Sequence, residues 1–100
     1  MATRRIEVPQ SELAEVCRRH RVRRLALFGS VLRDDFGPRS DVDVLVTFEP
    51  DARIGFLALG RLKRELSELF GRPVDVVPED GLKPVIRADV LSSAEVIYAA

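Results

Sequence analysis

Apolar side chains recur along this chain at two periods, and each change of period marks a new element. Leu13, Val16 and Cys17, with His20 completing the stripe, follow Pro9 at helical spacing and predict a first helix over about Gln10–His20. Arg24 to Phe28 is short, mostly apolar and stopped by Gly29, which reads as a buried strand ending in a tight turn. Ser30 is then in position to cap a short helix over Val31–Asp35, which Gly37 and Pro38 end. From Ser40 to Phe48 the period is two: Asp41, Asp43 and Leu45 fall on one side of a strand, and Val42, Val44 and Val46 on the other. Glu49, Pro50 and Asp51 break that strand.

The longest stripe comprises Phe56, Leu59, Leu62, Leu66, Leu69 and Phe70 and predicts a helix from about Ile54 to Phe70, stopped by Gly71. Pro73–Val77 reads as a β-branched strand with one acid, Asp75, bounded by Pro78. Lys83–Leu91 reads as a further helix and Glu95–Tyr98 as a terminal strand. Helices alternating with short strands give an α/β class, a small mixed sheet of four strands or fewer with helices packed against it.

Composition narrows the setting. One hundred residues, 46% of them hydrophobic, suit one compact domain, so residues 1–100 are read as a single domain. The apolar runs fall far short of the roughly 18 residues needed to span a bilayer. Met1–Gln10 is charged, and the lone Cys17 has no partner for an internal disulfide. Together these features point to the cytoplasm. Net charge is zero but uneven: nine arginines face five acids in residues 1–40, against seven bases and eleven acids in residues 41–100. A basic half suits phosphate, although a solvated arginine-rich surface has the same composition.

Three features carry candidate chemistry. Gly29 and Ser30 stand where a strand turns into a helix; the free N–H groups of that turn suit phosphate oxygens, while an ordinary turn with a capping serine uses the same two residues. Asp41 and Asp43, two apart in a strand, project from one face. Two like charges side by side repel unless a cation offsets them, and hard oxygen donors suit magnesium or manganese; the alternative is a solvated strand end. Asp75 sits among Val74, Val76 and Val77, where an acid has poor strand propensity. If its strand lies about 4.8 Å from that of Asp41 and Asp43, three carboxylates share one patch. Such a patch suits metal-assisted displacement at phosphorus, whereas on an edge strand Asp75 would simply face water.

The runs Leu27-Phe28-Gly29-Ser30-Val31-Leu32-Arg33 and Ser40-Asp41-Val42-Asp43-Val44-Leu45-Val46 resemble the signature of DNA polymerase β-like nucleotidyltransferases. With the segment Gly71-Arg72-Pro73-Val74-Asp75-Val76-Val77-Pro78, nearly the whole chain resembles the minimal nucleotidyltransferases paired with HEPN toxins. The resemblance implies a nucleotidyltransferase fold with Gly29 and Ser30 on the triphosphate. It implies Asp41, Asp43 and Asp75 as catalytic metal ligands for Mg2+ or Mn2+, with Asp75 also the base for the acceptor hydroxyl. Arg33 matches the motif arginine, on phosphate or on the carboxylates. Leu32 and Asp34 depart from the family's Ala and Gly, and an acid at 34 would repel a triphosphate.

The activity so implied is transfer of AMP from ATP to a hydroxyl of a HEPN-type protein; the alternative is a non-catalytic, nucleotide-binding antitoxin. Four further features have structural readings. His20 suits helix capping or packing at the core edge, and Cys17 suits the core. Tyr98 suits edge packing, and Arg18 to Arg24 lacks the aromatics of a nucleic-acid module.

Overall fold

The computed structural model describes residues 8–29 and 41–100. Helix α1 (Gln10–Arg19) leads into β1 (Val22–Phe28), followed by β2 (Val42–Phe48), α2 (Phe56–Phe70) and β3 (Val74–Pro78). A 3-10 turn over Glu79–Gly81, helix α3 (Pro84–Ser93) and β4 (Glu95–Ala99) complete the described chain. The strands form one mixed sheet in the order β3-β2-β1-β4. β1 is antiparallel to β2 and β4, whereas β2 and β3 are parallel. Parallel neighbours need a crossover, and α2 supplies it. Among the described residues, no helix is long and apolar enough to cross a membrane.

β1 begins two residues earlier than its sequence period suggests. Val22 pairs with Phe48 and Arg24 with Thr47, so Arg23 is an extra residue on β1. That bulge breaks the period of two. Val22 and Leu25 therefore both reach the core, while Arg24 takes the other face. At the turn before it, Arg21 adopts φ 60, a left-handed conformation that a non-glycine residue holds at a cost of about 1–2 kcal/mol.

Register divides the sheet into two faces. Leu25, Leu27, Val42, Val44, Val46 and Val74 meet Leu13, Val16 and Cys17 of α1 and Leu62 and Leu66 of α2 in a single apolar cluster. Each fully buried leucine or valine among them contributes about 1.5–3 kcal/mol. Burial pushes the Cys17 thiol up to about 12, so it is a small core side chain without nucleophilic character. Tyr98 packs at the edge of this cluster. The opposite face carries Asp43, Leu45 and Thr47 of β2 beside Phe28, Ala26 and Arg24 of β1.

Phe56 departs from the expected stripe. It opens α2 but is 89% exposed, whereas Leu62 and Leu66 are fully buried. The geometry accounts for this: two successive i+3 steps take Phe56 through Leu59 to Leu62, and each step drifts about 60° around a helix of 3.6 residues per turn. Phe56 thus points about 120° away from Leu62. Helix α3 buries none of its residues and is fastened at Arg87, whose guanidinium donates to the Glu79 carbonyl (3.0 Å) and to Glu79 Oε1 (3.2 Å).

His20 terminates α1, and its Nε2 stands 2.5 Å from Glu65 Oε2 on α2, while Arg19 Nη1 lies 2.7 Å from Glu65 Oε1. The His20 hydrogen bond, followed by Arg19, holds the Glu65 carboxyl below its ordinary value of 4.5. A group with a depressed folded pKa stabilises fully above its unfolded value, and the contribution disappears as pH falls through the folded one. The stability difference between the wild-type chain and Glu65→Gln, read from urea midpoints, is therefore expected to shrink as pH is lowered from roughly 5 to 3. A difference constant over that window would remove the ionic contribution assigned to this pair.

Candidate active site

The parallel ladder sets the site. Val42 N–H donates to the Pro73 carbonyl (3.0 Å), fixing the start of both strands. From there the register runs Val42 with Val74, Asp43 with Asp75, and Val44 with Val76. Residues level across parallel strands project from the same face, so Asp75 shares the face of Asp43, one strand spacing of about 4.8 Å away. On the other side of β2, Phe28 is level with Asp43, so one row across three strands sets the end of β1 next to Asp43, with Asp75 one strand further on. Asp43 is half-buried and Asp75 exposed. Asp41, also exposed, lies one residue before β2 rather than within it.

Gly29 closes this row. It follows β1 with φ 75, a conformation glycine holds without penalty. A Cβ built there would overlap Asp43 Oδ2 and come within 3.3 Å of its Cγ. The backbone at the end of β1 therefore lies directly against the Asp43 carboxylate, with no room for a side chain between them. Ser30 and Arg33, like Leu32 and Asp34, lie outside the described residues. As the side chains stand, no three His, Cys, Asp or Glu residues among the described ones form a group able to hold a metal ion. The structure thus brings together Gly29, Asp43 and Asp75, with Asp41 two residues along the chain.

A second polar group on the same sheet face was not evident in the sequence. Thr47 Oγ1 donates to Glu79 Oε2 (2.5 Å), and Arg24 Nη2 lies 3.4 Å from the same oxygen. The Thr47 hydrogen bond, then Arg24 and Arg87, hold the Glu79 carboxyl below its ordinary value. Its partners come from positions 24, 47 and 87, and no local pattern signals them. The group ties β1, β2 and α3 together. Beside it, a cavity of about 330 Å³ is lined by Thr47, Glu49, Ile54, Leu59, Glu79 and Asp80, among others. It opens at the C-terminal ends of β2 and β3, the opposite ends from Asp43 and Asp75, and contains none of the described candidate site residues.

A glycine-led strand end set against level carboxylates on a small mixed sheet is an arrangement suited to nucleotide phosphates. The family described as nucleotidyltransferase domain matches residues 11–97. The chain belongs to that family. Protein adenylyltransferase MntA of Thermococcus cleftensis is 38% identical over 84 residues, covering 84% of this chain and 81% of the relative. A solved structure provisionally described as a minimal nucleotidyltransferase is 40% identical, covers 85% of each chain and superposes with a TM-score of 0.71. A chain in a solved complex of tri-AMPylated Shewanella oneidensis HEPN toxin with MNT antitoxin is 18% identical, covers 91% of this chain and 70% of its own, and has a TM-score of 0.64. That likeness establishes the fold alone, and the fold agrees with the α/β nucleotidyltransferase class expected from the sequence.

Proposed function

We propose that this chain transfers AMP from ATP to a hydroxyl of a HEPN-type protein partner and so acts as the antitoxin of a pair. The observation that carries the proposal is the level register of Asp43 and Asp75 beside the side-chain-free Gly29. Support also comes from the adenylyltransferase name of the Thermococcus relative and from the AMPylated HEPN toxin in the Shewanella complex. The reading takes residues 1–100 as one catalytic domain working in the cytoplasm, where ATP is abundant.

In the reaction, the acceptor oxygen attacks the α-phosphorus, a phosphate ester forms, and the bond to pyrophosphate breaks. Asp75, exposed and level with Asp43, accepts the hydroxyl proton. Gly29 lets the triphosphate approach the backbone, and Ser30 and Arg33 add donors to its oxygens. Asp41, Asp43 and Asp75 offer the hard oxygen donors that Mg2+ or Mn2+ takes, and together with phosphate oxygens of the bound nucleotide they would hold such a cation. When bound, the cation supplies neutralisation of charge on the reacting phosphates.

Asp34 favours a second reading, a nucleotide-binding antitoxin without catalysis, because an acid in the glycine-serine motif repels triphosphate. One experiment separates the two. The chain, its HEPN-type partner and ATP with magnesium are incubated and the partner is weighed by mass spectrometry. AMP-sized additions that vanish in the Asp41→Asn, Asp43→Asn double variant and on chelation of the metal are expected. An unmodified partner under these conditions would falsify catalysis.

A further inference from the structure

The outer face of α2 bears a second surface, remote from the carboxylates. Phe56 and Leu57 are 89% and 77% exposed, and with Gly60, Arg61 and Arg64 they line a shallow groove of about 410 Å³. Val85 and Ile86 at the start of α3 are exposed too, but Phe56 and Leu57 are the pair that lines a groove with cations, and an apolar patch rimmed by charge suits a partner. Gly60 is a second sign. Nothing lies within 4 Å of a Cβ built there, so this fold has no steric need for a glycine that weakens a helix interior. A glycine on an outward face does, however, allow another chain to approach closely.

Charge narrows the choice of occupant. Arg61, Lys63 and Arg64 make no ion pair with any described residue, whereas Arg19, Arg21, Arg24 and Arg87 all do. A second copy of this chain docking face to face would set these cations against one another. We propose that the two N-terminal turns of α2 dock the HEPN-type partner through an apolar surface of that partner rimmed with carboxylates. This rests on the partner named under the proposed function and adds a contact separate from the acceptor hydroxyl. The contact is separate because α2 begins roughly 20 Å, its own length, from the end that leads into β3. It also packs on the sheet face opposite Asp43.

The test titrates the full chain with the purified HEPN-type partner by calorimetry and follows AMP transfer in parallel. It uses two variants, Phe56→Ser with Leu57→Ser, and Arg61→Glu with Arg64→Glu, all at exposed positions; thermal melts check folding. Both variants are expected to bind about tenfold or more weakly. The charge variant should also lose the salt dependence of wild-type binding, and transfer should show a raised KM with kcat unchanged. Equal binding by variants and wild type overturns the docking surface and leaves adenylylation standing. Weakened binding without any AMP on the partner does the reverse. A wild-type chain that dimerises through this face, as sedimentation of the two variants would reveal, also overturns it, as does no binding by wild type.

Discussion

Asparagine at position 43 is expected to lower AMP transfer about a hundred- to a thousandfold while leaving the chain folded. Asp43 is level with Asp75 on the neighbouring strand, and the end of β1 at Gly29 lies against its carboxylate. Asparagine keeps the shape and the strand register but removes the charge that the proposed reaction asks of this position. Transfer rates measured by mass spectrometry should therefore fall while thermal melts still show a cooperative unfolding transition. Asp75→Asn should follow the same pattern. A variant that retained wild-type rates at saturating magnesium would remove Asp43 from the active centre.

The placement of the candidate site was more legible in the sequence than the surfaces around it, and the reason is where each signal resides. Asp75 stood out because a carboxylate among Val74, Val76 and Val77 contradicts strand propensity, and the pair Asp41 and Asp43 follows the period of two. No local pattern could establish that β3 runs parallel to β2 with 75 level with 43, because that register depends on the α2 crossover and the Val42–Pro73 hydrogen bond. The early start of β1 was hidden for a similar reason. A bulge at Arg23 shifts the alternation by one residue, so Val22 belongs to the core although it is out of phase with Leu25.

Phe56 shows the opposite error. Spacings of three look helical one step at a time, but only alternation of three and four holds a stripe on one side, as it does for Leu59, Leu62, Leu66 and Leu69. The Glu79 network was invisible because its partners come together only when the sheet and α3 assemble. Asp41 was placed inside the strand by its period, yet the ladder begins at Val42, so it borders the sheet rather than being held by it.

Gly29→Ala is expected to destabilise the chain by about 1–3 kcal/mol and to slow transfer by roughly a factor of ten to a hundred. Two separable effects contribute. At φ 75 any L side chain is strained, by about 1–2 kcal/mol. In addition, the new methyl group overlaps the Asp43 carboxylate, which must rotate away or push the end of β1 from β2. Urea denaturation of the double variant Gly29→Ala, Asp43→Ala apportions them. Shortening residue 43 removes the overlap but not the backbone strain, so the alanine at 29 should cost less in that background than in the wild type. Activity behaves differently, since shortening residue 43 relieves the overlap but removes the carboxylate, so the double variant stays inactive. An identical cost in both backgrounds would mean that backbone conformation alone requires glycine here, and that the close approach of β1 to Asp43 imposes no constraint of its own.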